Sequence, residues 1–144
     1  MSWLVKKPFT PHRERPDWKR MKVLIVEAQP ELGALWKNHL LRQGATVDLA
    51  TTQQEAINAL LREDWDVIVL DLELGRGDPS GGSIAVADFA GYRRPEAKVV
   101  FVTSSAFFSD GSIFAHIENA HAFLPSTTTP DDLAAVVEHY ARAS

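Results

Sequence analysis

The sequence contains no cysteine, which excludes disulfides, thiolate metal sites and cysteine nucleophiles and fits a cytoplasmic setting. No apolar run approaches the roughly 18 residues that a membrane span requires. Lys6 and Lys7 are followed by no apolar stretch of the kind that marks a secretory signal. His12, His39, His116, His121 and His139 show no metal-ligand spacing of the i, i+4 kind, and read as surface or helix-end residues. Gly75, Gly77, Gly81 and Gly82 suggest a phosphate cradle, but no Lys-Ser/Thr pair follows at the required spacing, so they read as a long loop.

What is present is unevenly charged. The formal net charge of −4 divides into about +4 on residues 1–20 and about −8 on residues 21–144. An acidic body repels nucleic acid, so a nucleic-acid partner would have to be held by the basic arm alone and is not expected. Residues 1–20 contain Pro8, Pro11 and Pro16 and no sustained period, and read as an extended basic arm. The arm also carries Trp3, Leu4, Val5, Phe9 and Trp18, which leaves docking on the domain or on a partner open.

From Met21 onward the punctuation is regular. Lys22–Val26 is a β-branched run suited to a strand buried on both faces. Pro30 opens a helix with Leu32, Leu35, Trp36 and Leu40 at helical spacing, and Gly44 closes it. Ala45–Ala50 is a second strand, and Thr52 to Glu55 a capping box before a stripe of Ala56, Ala59 and Leu60. Asp66–Leu70 and Lys98–Val102 are the third and fourth strands, separated by the glycine-rich loop and a helix carrying Ile84, Ala87 and Phe89. Ile113, Phe114 and Ile117 suggest a fourth helix, and Ala122–Leu124 a short fifth strand. Thr129 caps a last helix that buries Leu133, Val136, Val137 and Tyr140.

A strand and a helix thus alternate five times, which predicts a doubly wound α/β domain over residues 21–144, a five-stranded parallel (βα)5 sheet with helices on both faces. Chemistry in such a domain belongs at the carboxyl ends of the strands. Those ends carry Glu27-Ala28-Gln29, Asp71-Leu72-Glu73, Thr103-Ser104 and Pro125-Ser126. A carboxylate ending a buried strand must be hydrogen-bonded, paired or metal-bound. Glu27 and Asp71 on neighbouring strand ends suit a hard cation, because Mg²⁺ takes only one or two carboxylates besides waters and phosphate oxygens. No nucleophile–base–orienter set appears, so a hydrolase is disfavoured and no enzyme activity is expected.

The succession KVLIVEAQPEL, DVIVLDLELG, KVVFVTS and AFLPS before a Thr-Pro-capped helix resembles the receiver domain of bacterial two-component response regulators. The resemblance covers residues 21–144. It implies a flavodoxin-like fold and a stand-alone member working in phosphorelay signal transduction through protein–protein contact. It further implies Asp71 as phosphoacceptor; Mg²⁺ held by Glu27, Asp71 and the backbone carbonyl of Glu73; and Thr103, Phe123 and Ser126 at the phosphate-binding and switch positions. The implied partners are a histidine kinase, a phosphotransfer protein or another signalling protein. A homodimer is implied through the face of the fourth helix, fifth strand and fifth helix, where Phe107, Phe108 and Phe114 make the preceding segment unusually aromatic.

Two departures make this member atypical. Ala28 stands where the family has a second acidic ligand, which weakens the Mg²⁺ site, and Ser126 stands where the family has a lysine. Gly75 also replaces a common proline, and the loop to Gly82 is long. Losing one carboxylate and one ammonium removes charge neutralisation from a site whose work is neutralising charge. Two mechanisms follow: a weak phosphoacceptor at Asp71, and a phosphorylation-independent pseudo-receiver that signals by binding alone.

Overall fold

The computed structural model describes residues 4–5, 18–103 and 120–142. Its strands are β1 (Leu4–Val5), β2 (Lys22–Val26), β3 (Thr46–Ala50), β4 (Val67–Asp71), β5 (Lys98–Thr103) and β6 (Ala120–Pro125). Its helices are α1 (Pro30–Gln43), α2 (Gln53–Arg62), α3 (Gly82–Arg93) and α4 (Pro130–Arg142), and a 3₁₀ turn covers Trp18–Arg20. The predicted fourth helix, with Ile113, Phe114 and Ile117, and the aromatic Phe107 and Phe108 before it lie outside the described residues.

The sheet order is β1-β6-β5-β4-β2-β3. The five strands β2 to β6 are mutually parallel in the flavodoxin-like order. Every residue of β4 is buried, which is why it reads as an unbroken apolar run instead of an alternating one. One core cluster joins α1 and α4 to one face of the sheet through Trp36, Leu40, Leu133 and Tyr140. The second joins α2 and α3 to the other face through Ala56, Leu60, Val86 and Ala90.

The helix ends follow their local chemistry. Gly44 takes φ 109° and returns its N–H to the carbonyls of Leu40 and Leu41, closing α1 in the left-handed conformation that glycine adopts at least cost. The Thr52 hydroxyl accepts from the Glu55 N–H at 3.1 Å, and Glu55 reaches back to the Thr51 N–H at 2.8 Å, one residue before the usual reciprocal position. Thr129 accepts from the Asp132 N–H at 3.2 Å and caps α4 as expected.

Several features differ from the sequence reading. Leu35 is half exposed, and the inner stripe of α1 is Gly33, Trp36 and Leu40. Ile84 is also exposed, because α3 turns Val86, Ala87 and Ala90 inward. His139 is buried against Tyr140 with ring centroids 4.8 Å apart, and His121 Nδ1 accepts the Val99 N–H at 3.3 Å. Neither is the solvated surface group that its lack of ligand spacing suggested.

Two pieces of the arm belong to the fold. β1 adds a sixth strand, antiparallel to β6, pairing Leu4 with Phe123 and Val5 with Ala122. Trp18 is buried in the same cluster as Met21 and Ala45. Its Cβ lies 3.5 Å from where a Cβ on Gly44 would sit.

Candidate functional site

β2 and β4 are hydrogen-bonded neighbours, with Val26 aligned to Leu70. The residues that follow, Glu27 and Asp71, therefore emerge together at one rim of the sheet. Ile25 and Val69, two positions back on each strand, both face the α1/α4 cluster, and the two-residue period turns Glu27 and Asp71 to that side. Both are buried, at 2% and 6% exposure. At that depth an acidic side chain must find partners.

Backbone amides supply most of them. Asp71 Oδ2 accepts the Ala28 N–H at 3.2 Å, and Oδ1 accepts the Glu73 N–H at 2.9 Å. Glu27 Oε2 accepts the Gln29 N–H at 3.0 Å. Burial, followed by a hydrogen bond with the Asp71 side chain and the charges of Asp71 and Glu73, pushes the Glu27 carboxyl up to about 8 against the pull of Gln29. The Glu27 carboxyl therefore holds its proton more tightly than an exposed glutamate does. Among the described residues no lysine or arginine pairs with either acid.

The other half of the rim is built on β5 and β6. Val102 aligns with Asp71, which sets Thr103 one step beyond it. Thr103 is 1% exposed, and its hydroxyl has no hydrogen-bond partner among the described residues. The Ser126 N–H donates to the Thr103 carbonyl at 2.7 Å, carrying the β5–β6 ladder past the strand ends. Phe123 is buried and stacked on Phe101, with centroids 5.2 Å apart and planes at 15°. The Glu73 carbonyl accepts the Arg76 N–H at 3.1 Å, which leaves one of its lone pairs. Sequence reasoning thus places Glu27, Asp71, Glu73, Thr103 and Ser126 around one rim, with Phe123 packed inward on β6.

Sequence reasoning missed the residues that hold the loop after β4. Ser83, 4% exposed, donates its hydroxyl to the Leu72 carbonyl at 2.7 Å. Gln53 on α2 accepts the Gly82 N–H at 2.9 Å and the Ser80 hydroxyl at 3.1 Å. Gly82 sits at φ 54°, and a Cβ there would run into the Leu74 carbonyl, so only glycine fits this turn. The glycine-rich loop is thereby clasped to α2. No spacing rule announces a hydroxyl aimed at a carbonyl eleven residues away. A groove of about 340 Å³ between β3 and α2, bordered by Asp48, Glu55, Asn58 and Arg62, contains none of the rim residues.

No protein-family model matches the chain, and no curated protein sequence matches it. Solved structures do match. A CheY-like response regulator receiver domain protein from Methanospirillum hungatei JF-1 superposes with a TM-score of 0.72 at 23% identity, over 84% of this chain and 93% of that one. A response regulator from Thermotoga maritima gives 0.72 at 22% identity, over 85% and 98%. A response regulator from Burkholderia pseudomallei, solved with a phosphorylated aspartic acid, a calcium ion and citrate, gives 0.65 at 19% identity, over 84% and 68%. The chain has the receiver-domain fold. No helix among the described residues is long and apolar enough to cross a membrane.

Proposed function

We propose that this protein is an atypical receiver domain that works in two-component or phosphorelay signalling by protein–protein contact, with Asp71 as its phosphoacceptor. The observation that carries the proposal is the rim itself. Two buried acids share a hydrogen bond there, and a buried hydroxyl, unpartnered among the described residues, stands on the adjoining strand end. The receiver fold and its phosphorylated structural neighbour support the same reading.

The residues present fit a weak Mg²⁺ site. Glu27 and Asp71 supply two carboxylates and the Glu73 carbonyl a third oxygen, whereas Ala28 contributes only an N–H. Among the described residues no group of three or more His, Asp or Glu converges on one point. Bound there, Mg²⁺ would neutralise charge on the phosphoryl oxygens. Before Glu27 can serve as a ligand it must release the proton that burial holds on it.

In the transfer itself, an Asp71 carboxylate oxygen forms a bond to phosphorus as the donor's leaving group departs. The Ala28 and Glu73 amides fix the carboxylate plane for in-line attack. The Thr103 hydroxyl, with no partner to give up among the described residues, can donate to the phosphoryl group. Ser126 adds at most one hydrogen bond where the family has a full positive charge.

A second reading, a pseudo-receiver adaptor that needs no phosphate, is favoured by the charge balance. Burial holds the Glu27 carboxyl up to about 8 and, among the described residues, no lysine or arginine pairs with Glu27 or Asp71; Arg76 reaches only Glu73, at 3.9 Å. The partner is then a kinase, a phosphotransfer protein or another signalling protein recognised through the folded surface. Incubation with a small acyl phosphate and Mg²⁺, followed by intact-mass analysis, tests the first reading. Labelling that disappears in Asp71→Asn supports it. A wild-type chain that stays unlabelled, with a partner whose affinity survives Asp71→Asn, replaces it with the second.

A further inference from the structure

The two edges of the sheet are protected differently. β3 forms one edge, and its middle residue is Asp48, half exposed and loosely paired with Arg62 at 3.9 Å. Two copies of β3 brought together antiparallel and centred would set the two Asp48 side chains opposite each other, a repulsive pairing that blunts this edge. β6 carries no such guard. Its sequence, Ala120-His121-Ala122-Phe123-Leu124-Pro125, contains no Asp, Glu, Lys or Arg. Its terminal Pro125 lacks an N–H and limits pairing only at the end of the strand. On this side the chain lays its own Leu4–Val5 along the edge instead.

We propose that β1 is a cis-acting cap, and that the β6 edge beneath it is a self-association surface for the β6 strand of a second copy of this chain. Direction identifies the occupant. β1 is antiparallel to β6, whereas the other strand pairs in the sheet are parallel. Two β6 strands related by a two-fold axis also run antiparallel, so a second copy presents the geometry that β1 presents, in a closed isologous pair. The paired lengths point the same way. β1 covers two residues of the six in β6, so a partner strand that pairs along more of the edge makes more ladder bonds than the cap does.

The cap prevails because it is tethered. Twelve residues separate Val5 from Trp18, which is anchored in the core. That length reaches up to about 40 Å, while β1 and β2 lie four strand spacings apart, about 19 Å. Such a tether holds the cap at an effective concentration on the order of millimolar. A second copy, present at far lower concentration, competes only when the cap is released. This pairing extends one sheet across two molecules, unlike a dimer packed through helices.

The test compares the full chain with a version lacking residues 1–10, which keeps the Trp18 anchor. Sedimentation equilibrium over a concentration series should give a dimer dissociation constant at least tenfold lower for the shortened protein. A synthetic peptide of residues 1–10 in excess should return it to monomer. Val5→Pro in the full chain, which removes one N–H and the strand geometry, should act in the same direction and decides the matter if the deletion disturbs folding. Because alternate amides on a strand face opposite neighbours, one of Ala122 and Phe123 points to β1. Its hydrogen exchange should quicken in the shortened monomer and slow again on dimerisation. The proposal is overturned if both variants fold and sediment as the full chain does. It is equally overturned if the full chain dimerises and removing the arm makes it monomeric, because the arms would then be exchanged between copies.

Discussion

The two halves of the rim are built from the same kind of strand end but are provisioned in opposite ways. On β2 and β4, Glu27 and Asp71 have their oxygens on backbone amides and on each other, so acceptors are plentiful and satisfied. On β5 and β6, a buried Thr103 hydroxyl waits without a partner among the described residues, and Ser126 makes its rim contact through its backbone N–H. The first half has too much negative charge for its surroundings, and the second lacks the positive charge to balance it. Sheet topology therefore brings the two acids and the hydroxyl to one rim, whatever the charge balance there. Shape resides in strand order, charge in individual side chains.

If charge is the deficit and shape is intact, supplying charge to both halves should have the largest effect. Ala28→Asp with Ser126→Lys should raise the labelling rate of Asp71 by at least about 100-fold over wild type, since single electrostatic groups contribute about 3 kcal/mol to such steps. Intact mass against time with an acyl phosphate and Mg²⁺ measures it. No gain in a folded double variant would mean that the rim is misaligned and not merely undercharged.

Removing charge from the acidic half alone gives the next effect. The Glu27 carboxyl ionises near 4.5 when unfolded and at about 8 when folded. Its contribution to stability is complete below pH 4.5 and is lost as pH rises through about 8, because the unfolded chain gives up the proton first. Urea unfolding with a chelator should therefore find the wild type weaker at pH 9 than at pH 5 relative to Glu27→Gln. The difference should reach a few kcal/mol, since each tenfold change in proton affinity is worth about 1.4 kcal/mol. A constant difference between the two proteins across that range would remove the proton from Glu27.

The donor half offers smaller effects. Thr103→Val replaces a buried hydroxyl that finds no partner among the described residues by a methyl of similar shape. It should stabilise the fold by about 1 kcal/mol, read as a higher urea midpoint. A loss of that size would mean that the hydroxyl has a partner. Ser126→Ala should change stability by less than about 0.5 kcal/mol, because the bond to Thr103 comes from its backbone.

Much of this was legible beforehand, for identifiable reasons. Runs such as Val67–Leu70 read as doubly buried strands because both sides are covered by helices, and strand alternation then put Glu27 beside Asp71. α4 was legible down to its cap and four of its buried residues, because an amphipathic helix writes its inner face into the spacing. β1 was not, since two residues carry no period and the strand they pair with lies more than a hundred residues away. Trp18 was illegible as core for a similar reason: one isolated indole defines no face. The upward push on the Glu27 carboxyl depends on burial depth and side-chain angle, which composition does not encode. The Ser83 and Gln53 contacts depend on the path of a loop, and loops lack the periodicity that strands and helices reveal.

Trp36 sits fully buried in α1, and its indole N–H points to the Thr128 carbonyl at 3.4 Å, two residues past Ser126. The consequence is optical. A shift of the Ser126 segment alters the polarity around this one of the chain's four tryptophans, so emission from a variant that keeps Trp36 alone can follow the rim in real time without a dye, a tag or a bound partner.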